Sequence, residues 1–251
     1  MTRRRFFAPP DAFDLRTRRV VLSADEARHL REVLRLKIGD AVRVFDGIGH
    51  EYSAVVEKAM RESAVLELND ELTPSSPESP LRLTLALALL KGDKFDLVVQ
   101  KATELGVTAI TPVVTRFADV RLRDDADAAK RVSRWQRIAL EAAKQSGRAV
   151  LPAINSPTEF ATLIEGKLED EGLRVMFAER HGVALSDLRV AGTVGSVTAL
   201  IGSEGGWADE EIESARSNGW QIVTLGGRIL RAETAAIALT ALLQHLYGDL
   251  R

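Results

Sequence analysis

The chain has 251 residues, of which 45% are apolar and 28% are charged, and its net charge at pH 7 is −2. This composition is typical of an ordinary soluble globular protein with room for one large domain or two smaller ones. No overall positive field points to nucleic acid. Residues 1–50 nevertheless carry 11 Lys and Arg against 7 Asp and Glu, which weakly indicates an anionic partner at that end.

The absence of cysteine excludes several kinds of site. Disulfides, thiolate nucleophiles and cysteine-held metal or iron–sulfur clusters all require this residue. The four histidines are not spaced as metal ligands, so we expect no metal. No apolar segment resembles a signal peptide or reaches the roughly 18 residues needed to cross a bilayer. We therefore expect a cytoplasmic protein with no membrane contact.

A proline- and serine-rich stretch, ELTPSSPESP at Glu71–Pro80, predicts an exposed linker. We expect the linker to occupy residues 73–80 and to separate a domain at 1–72 from a domain at 81–251.

The first of these domains has the pattern of a small β-barrel with one helix. Asp46–Gly47 is a turn signal between two strands, and Ser23 with Glu26 forms a capping-box pattern. Apolar residues follow the capping box at helical spacing, namely Ala27, Leu30, Val33 and Leu34. The strands are predicted by short runs rich in β-branched or aromatic residues: RRFF, RRVVL, AVRVFDG, EYSAVVEKA and AVLELND.

The second domain alternates strands with helices, which predicts an α/β fold with a parallel sheet. The expected strands are 81–90, 107–115, 174–179, 196–202 and 220–226, and the expected helices are 95–106, 127–147, 209–219 and 234–248. Ligands of such sheets bind beyond the carboxyl ends of the strands. Two glycine-rich stretches lie there, LIGSEGGWADEE at 200–211 and LGGRILRAETA at 225–235.

The glycine turn at 202–206 matches none of three well-known motifs. Ser203 lacks the Gly-x-Ser-x-Gly frame of a hydrolase nucleophile, no lysine follows as in a phosphate loop, and the glycine spacing is not that of a dinucleotide-binding turn. An ordinary tight connection would explain one such turn. Two turns at the ends of strands that would stand side by side favour a cofactor slot.

The two glycine-rich stretches resemble the C-terminal motifs of the RsmE family. These are 16S rRNA uridine-N3 methyltransferases of the SPOUT superfamily that use S-adenosylmethionine. Further similar segments occur in the family's order over nearly the whole chain: RRFF, HLREVLRLKIGD (29–40), LLKGDKFDLVVQKATELGVTAITPVVTRF (89–117) and RWQRIALEAAKQSGRAVLP (134–152).

Three positions depart from the family pattern, which usually has Pro, Phe and Thr where this chain has Ser203, Trp207 and Ala232. The first two changes lie in the turn, where we expect them to alter rigidity rather than chemistry. Loss of the hydroxyl at Ala232 is expected to remove one hydrogen bond near the cofactor.

The resemblance implies a PUA-like, RNA-binding barrel at 1–72 and a SPOUT α/β domain with a deep trefoil knot at 81–251. It also implies a homodimer that binds S-adenosyl-L-methionine in the knot, and the apolar last helix is consistent with a dimer interface. The implied partner is 16S rRNA within the assembled small ribosomal subunit, with the target uridine in the decoding region.

The resemblance also implies a set of site residues. Glu204 is expected to act as the base or to orient the substrate, although it could instead hold backbone amides or an arginine. Arg231 is expected to stabilise a uracil oxyanion or to contact a phosphate, unless it pairs with Glu233. Thr234 would contact the ligand or cap the last helix. The expected cofactor-binding residues are Ile201, Gly202, Glu204, Gly205, Gly206, Leu225, Gly226, Ile229, Leu230, Arg231 and Thr234.

RNA binding is expected from side chains that reach phosphates. The candidates are Arg3, Arg4, Arg5, Arg28, Arg31, Arg35, Lys91, Lys94, Arg116, Arg121, Gln145 and Arg148, with Arg123 and Arg134 as further possibilities. For any single one, an ordinary solvated position is the alternative. Only the segment QSGR at 145–148 stands out, because it matches a family segment at a helix end.

Direct methyl transfer to uracil N3 needs in-line alignment and a positioned base, and it needs no cysteine. The lack of cysteine argues against uridine-C5 methylation through a covalent adduct and against radical chemistry on an iron–sulfur cluster. Two alternatives stay open. One is a SPOUT enzyme with another RNA target, such as a ribose 2′-OH. The other is an RNA-binding assembly factor without turnover, which the changes at Ser203 and Ala232 would suit.

Overall fold

A computed structural model of the chain describes residues 4–166, 172–188 and 193–250. Two compact units divide the chain: Met1–Glu78 with Ala143–Leu151, and Ser79–Ala142 with Pro152–Arg251. The domain limits predicted from the sequence, 1–72 and 81–251, place residues 143–151 in the second domain. In the structure these residues belong to the first unit.

The first unit contains a six-stranded sheet in the order β1-β4-β5-β6-β3-β2, in which only the β1–β4 pair is parallel. All five predicted strands are present, together with the short β2. The turn predicted at Asp46–Gly47 is also confirmed, because Asp46 Oδ1 accepts hydrogen bonds from the three amides of residues 48–50. The strands are β1 (Arg5–Phe7), β2 (Phe13–Asp14), β3 (Arg19–Leu22), β4 (Ala41–Phe45), β5 (Glu51–Ala59) and β6 (Ala64–Leu72).

The core of this unit follows from strand alternation. Every second residue of a strand faces the same side, so apolar pairs such as Val42 and Val44 are buried together. Helix α1 (Ala24–Arg28) covers this core through Ala27, and Leu30 continues the contact in the following turn.

The predicted helix start is only half confirmed. The Ser23 hydroxyl accepts a 3.4 Å hydrogen bond from the Glu26 amide, but the Glu26 carboxylate bonds to Lys144 Nζ at 2.7 Å. A π-helical turn, His29–Val33, follows α1. Because this wider turn breaks the 3.6-residue spacing, Val33 is exposed rather than packed in the core.

Arg5 is a buried structural residue of the first unit, which corrects its expected role in RNA binding. Its side chain is 7% exposed, and its guanidinium donates to both carboxylate oxygens of Glu51 at 3.1 Å. It also donates to the carbonyls of Ala143 at 3.1 Å and Arg148 at 2.8 Å, and it stacks 3.9 Å from the Phe45 ring centre. Four of its five N–H donors are engaged inside the protein, and its burial keeps the guanidinium away from an RNA phosphate.

The second unit is built on a parallel sheet in the order β10-β8-β7-β13-β11-β14-β12, with β9 also paired to β8. The five strands and four helices predicted for this part are confirmed to within a few residues, and the α/β class with them. The strands are β7 (Arg82–Ala88), β8 (Ala109–Val114), β9 (Ala153–Ile154), β10 (Thr158–Glu159), β11 (Leu173–Phe177), β12 (Val183–Ala184), β13 (Ser196–Ile201) and β14 (Gln221–Thr224). The helices are α2 (Lys94–Glu104), α3 (Asp125–Ser146), α4 (Phe160–Glu165), α5 (Asp209–Ser217) and α6 (Ala232–Tyr247).

Helices cover both faces of this sheet. Leu83, Leu85 and Leu87 of β7 pack with α2, α3 and α6 on one face. Ala86, between them, belongs to the core of the other face with α4 and α5. A strand buried on both faces reads as an apolar run, which explains LRLTLALALL. The strand order by itself leaves the expected trefoil knot a prediction.

Within the described residues, no helix combines the length and apolarity needed to span a membrane.

The buried Arg5–Glu51 pair predicts a large loss of stability when one partner is removed. We expect Arg5→Ala to lower the free energy of unfolding of the first unit by about 3–5 kcal/mol, because the buried Glu51 would lose both hydrogen bonds of this pair and keep only the longer, 3.7 Å contact with Arg43. Arg19→Ala is the control, since its pair with Glu57 is more exposed and worth about 1 kcal/mol or less. Urea unfolding followed by circular dichroism measures both, and equal losses would contradict the prediction.

Candidate functional site

A cavity of about 630 Å³ opens where three neighbouring strands of the second unit end, namely β13, β11 and β14. Cavities that bind small ligands commonly range from about 300 to 1,000 Å³. Its lining residues are Lys94, Phe177, Ala178, Glu179, Ile201, Gly202, Ser203, Glu204, Thr224, Leu225, Gly226, Gly227, Arg228, Ile229, Leu230, Arg231, Ala232, Ala235 and Leu239.

The two glycine turns do not follow adjacent strands, which corrects an expectation. The strand β11 lies between β13 and β14, and Phe177 at its end is in register with both Ile201 and Val223. The cavity therefore has a floor from the end of β11 and two walls from the glycine turns.

The first wall is the turn that follows β13. It closes through a 3.0 Å hydrogen bond from the Gly206 amide to the Ser203 carbonyl, and Gly206 has a φ of +69°. A Cβ at Gly205 would lie 2.7 Å from the Phe117 carbonyl oxygen. Packing and backbone conformation therefore account for Gly205 and Gly206. Neither lines the cavity, so a contact of these two glycines with the cofactor stays a prediction.

Trp207 anchors this turn to the end of β11. Its indole Nε1 donates a 2.8 Å hydrogen bond to the Phe177 carbonyl, and the ring is buried beside Phe160. A Cβ at Gly202 would lie 2.9 Å from the indole. The tryptophan therefore has a structural role in the turn, and Gly202 is needed to accommodate it.

The second wall, Leu225–Arg231, is a loop open toward the cavity. A Cβ at Gly226 or Gly227 would meet no atom within 4 Å, and Gly227 has a φ of +96°. Ile229 is 90% exposed, although an apolar side chain of this size is usually buried. Gly226 has neither a crowding neighbour nor a positive φ, so the packing of the protein does not explain this glycine.

A cluster of one lysine and two glutamates closes the cavity at the start of α2. Lys94 Nζ lies 2.8 Å from Glu204 Oε1 and 4.0 Å from Glu233 Oε2. The Lys91 amide also donates to Glu204, at 3.4 Å. Lys94 therefore ties the first glycine turn to the starts of α2 and α6, and it belongs to the cavity rather than to a phosphate-binding surface.

The Glu204 carboxylate is kept ionised by this cluster. Burial raises the pKa of Glu204, but hydrogen bonds from Lys94 Nζ and from the amides of Glu204 and Lys91 outweigh that effect, so the pKa lies below its ordinary value. A carboxylate with a lowered pKa is a weak proton acceptor. The geometry matches the alternative in which Glu204 holds backbone and a cation, here a lysine instead of an arginine.

Arg231 lies on the cavity wall directly before α6. Among the described residues its guanidinium has no ion-pair partner, so the alternative pair with Glu233 is not formed. Thr234 is exposed inside the first turn of α6 and does not line the cavity. It is not the helix cap either, because Arg231 holds that position. The helix-cap alternative for Thr234 is therefore corrected, and its ligand contact stays a prediction.

Sequence comparisons assign the chain to a family. The profile of an RNA methyltransferase domain matches residues 77–244, and that of an RNA methyltransferase PUA domain matches residues 22–69. The ribosomal RNA small subunit methyltransferase E of Synechocystis is 34% identical over 90% of this chain and 73% of its own length. The protein of the same name from Bacillus subtilis is 30% identical over 88% of each chain.

This chain belongs to the RsmE family of RNA methyltransferases. Comparison of structures agrees: the crystal structure of the family member from Neisseria gonorrhoeae bound to S-adenosyl methionine superposes with a TM-score of 0.87, at 36% identity, over 98% of this chain and 99% of that one. The family predicted from the sequence is confirmed, and so is its class of enzyme.

The sequence did not reveal several cavity residues of this RsmE-family chain. Phe177, Ala178 and Glu179 stand at the end of β11, and Thr224 ends β14. Their strands were predicted, but the position of β11 between the two glycine turns was not. Strand order depends on long-range contacts, so spacing along the chain carried no signal for these residues.

The residues expected to bind RNA fall into distinct groups. Arg148 is 3% exposed and pairs with Glu78 at 2.6 Å, so like Arg5 it is structural. Gly147, with a φ of +85°, follows the end of α3, and the QSGR segment is thus explained by a helix end and a buried arginine. Arg3 lies outside the described residues.

The other candidates lie on the surface. Arg35 and Gln145 are exposed, and Arg121 donates to the carbonyls of Thr115 and Arg116. The remaining ones form ion pairs: Arg4 with Asp40, Arg28 with Asp25, Arg31 with Glu32, Lys91 with Asp119, Arg116 with Glu210, Arg123 with Asp127, and Arg134 with Asp93 and Asp96.

The crowded Gly205 and the open Gly226 are expected to differ in how much stability an alanine substitution removes. Gly205→Ala should lower the free energy of unfolding by about 1–3 kcal/mol, because the new methyl group overlaps the Phe117 backbone. Gly226→Ala should change it by less than about 0.5 kcal/mol, because its methyl group would enter open space. Thermal unfolding of both variants provides the measurement. A large loss at Gly226 would show that folding, rather than the cavity, requires this glycine.

Proposed function

We propose that this protein is an S-adenosylmethionine-dependent methyltransferase that modifies N3 of one uridine in the decoding region of 16S rRNA. The observation that carries the proposal is the cavity between the two glycine turns, in a chain that matches RsmE-family proteins over nearly its whole length. The N. gonorrhoeae relative was solved with S-adenosyl methionine bound, which supports the same cofactor here.

The residues of the cavity suit this cofactor. Gly226 and Gly227 leave the backbone of the second wall open to close approach, and Ile229 and Leu230 offer apolar surface to an adenine ring. The first wall also carries a group without a protein partner. The buried Ser203 Oγ forms no hydrogen bond with the described residues, and a buried polar atom of this kind usually indicates a missing partner.

The residues we propose to hold the cofactor are Ile201, Gly202, Ser203, Leu225, Gly226, Ile229 and Leu230, which line the cavity. When bound, the cofactor supplies an activated methyl group. The protein must then align the uracil ring, exclude water and stabilise the negative charge that develops as the N3 proton leaves.

We assign the charge-stabilising role to Arg231, because it lines the cavity, is retained from the family's second motif and forms no ion pair with another described residue. Glu204 is a positioning residue that fixes Lys94 through their 2.8 Å contact. Its lowered pKa makes it a poor acceptor for the N3 proton. Of the two roles expected for Glu204, base and orienting residue, we therefore propose orientation.

The RNA partner, the assembly and the location of the protein are part of the same proposal. We propose that a PUA-like domain within residues 1–72 binds RNA, that residues 73–80 are a linker, and that the substrate is the assembled small subunit in the cytoplasm. We also propose that the second domain contains a trefoil knot.

We propose that the protein is a homodimer, since α6 exposes Leu242 and Leu246 one turn apart. Sedimentation equilibrium tests the dimer, and a monomer at micromolar concentration would contradict it.

Methyl transfer to small subunits that lack the modification tests the main proposal. Labelled S-adenosylmethionine should yield N3-methyluridine in the digested 16S rRNA. Label in a ribose 2′-O-methyl nucleoside would instead favour an enzyme with another target. Cofactor binding without transfer, on subunits that a homologous enzyme methylates, would favour an assembly factor.

Two variants separate the roles of the residues in this assay. Arg231→Ala should lower kcat by about 100- to 1,000-fold, the effect of removing one donor to a developing charge, while the Kd for the cofactor changes little. Glu204→Gln should lower kcat but keep the acid limb of the pH–rate profile. Disappearance of that limb would identify Glu204 as the base.

A further inference from the structure

A second, basic cavity lies beside the start of α2 in the same unit. Its volume is about 360 Å³, and it shares no lining residue with the cofactor cavity. Gly92, Phe95 and Asp96 line one side, and the other side is formed by α3. Because Lys94 lines the cofactor cavity, the first turn of α2 separates the two.

The α3 side of this cavity carries four cations, Lys130, Arg131, Arg134 and Arg137, against two carboxylates, Asp96 and Asp127. Lys130, Arg134 and Arg137 are spaced at i, i+4 and i+7, so they form one row on the helix. At 1.5 Å per residue the row extends over about 10 Å.

The cations differ in how far the protein neutralises them. Arg131 pairs with Asp127 at 3.4 Å, and Arg134 pairs with Asp96 and with Asp93. Lys130 and Arg137 are exposed, and neither forms an ion pair or hydrogen bond with any residue the structure describes. The two ends of the row are thus available to an outside anion.

The floor of the cavity is rigid. Trp135 is buried, its Nε1 donates a 3.1 Å hydrogen bond to Asp96, and its ring packs on Phe95 with centroids 4.2 Å apart. Asp96 is therefore held by both Trp135 and Arg134. This anchoring fixes the position of α3 against α2, and with it the row of cations.

We propose that Lys130 and Arg137, the two ends of this row, bind backbone phosphates of the RNA substrate next to the target nucleotide. A row of separated cations suits a chain of phosphates, whereas a single small anion needs donors that converge on one point. Because Phe95 and Asp96 of this cavity directly follow Lys94 of the cofactor cavity, the RNA strand would lie beside the cofactor cavity. This inference rests on the proposed RNA methyltransferase function, and it adds Lys130 and Arg137 to the candidate RNA contacts.

The test is binding of a fluorescent single-stranded RNA oligonucleotide by the full-length protein, measured by anisotropy at several salt concentrations. We expect the double variant Lys130→Gln, Arg137→Gln to bind about tenfold more weakly and to reduce the slope of log K against log salt by about 1–2, because roughly 0.7 of a counterion is released per single-strand phosphate contact. The loss should be the same for different base sequences, since backbone contacts carry no sequence information.

The control is Arg216→Gln. Arg216 lies on α5, which packs on the opposite face of the sheet, and it pairs with Glu213. The control removes one arginine charge, as the single variant Arg137→Gln does, and should leave affinity and salt slope nearly unchanged. An equal loss in the control would overturn the proposal in favour of a general charge effect. An unchanged salt slope in the double variant would overturn it as well.

Two further readouts separate this inference from the proposed function. The double variant should keep wild-type S-adenosylmethionine affinity and raise KM for small subunits with kcat within about twofold. If the wild-type protein transfers no methyl group, the proposed function is wrong. The RNA contacts can still be measured in that case, because the binding assay needs no turnover. If inorganic phosphate binding is lost in the double variant while RNA binding is not, the cavity is a small-anion site and the RNA assignment is wrong.

Discussion

The contact between Lys94 and Glu204 is the interaction on which the candidate site depends. At 2.8 Å it joins the turn after β13 to the first residue of α2, and the same ammonium lies 4.0 Å from Glu233 in the first turn of α6. Three segments that are distant in the sequence are therefore held around one cation. Two carboxylates this close to each other are tolerated because that cation lies between them.

The same constraint explains why two neighbouring cavities have different character. Lys94 is neutralised by glutamates, so the cofactor cavity has mainly backbone and apolar walls with Arg231 at its edge. The basic cavity beyond the first turn of α2 has an excess of cations. An uncharged purine binds to a surface without excess charge, whereas a chain of phosphates binds to cations. The start of α2 separates a surface of the first kind from one of the second kind.

Local patterns predicted the elements well and their arrangement poorly. The strands β7, β8, β11, β13 and β14 were visible as apolar runs, because strands buried on both faces need such residues. The position of β11 between β13 and β14 depends on crossover connections. Such connections produce no periodic pattern in the sequence. Phe177 and Glu179 were therefore missed. Arg5 and Arg148 were misassigned for a related reason: burial depends on tertiary contacts, and an isolated arginine in a sequence usually lies on the surface.

The departures from the family pattern, of which those at Ser203 and Ala232 would suit a protein without turnover, have a different meaning in the structure. Trp207 is buried and bonded to the Phe177 carbonyl, so the turn keeps an anchor. Ala232 lines the cofactor cavity without a hydroxyl, whereas Ser203 brings to the same cavity a buried hydroxyl that bonds to no described residue. Relative to the family pattern, the cavity wall lacks the hydroxyl of a threonine at position 232 and gains the hydroxyl of Ser203. Since neither change fills the cavity or removes a charge from the Lys94 cluster, the departures give no physical reason for a protein that has lost turnover.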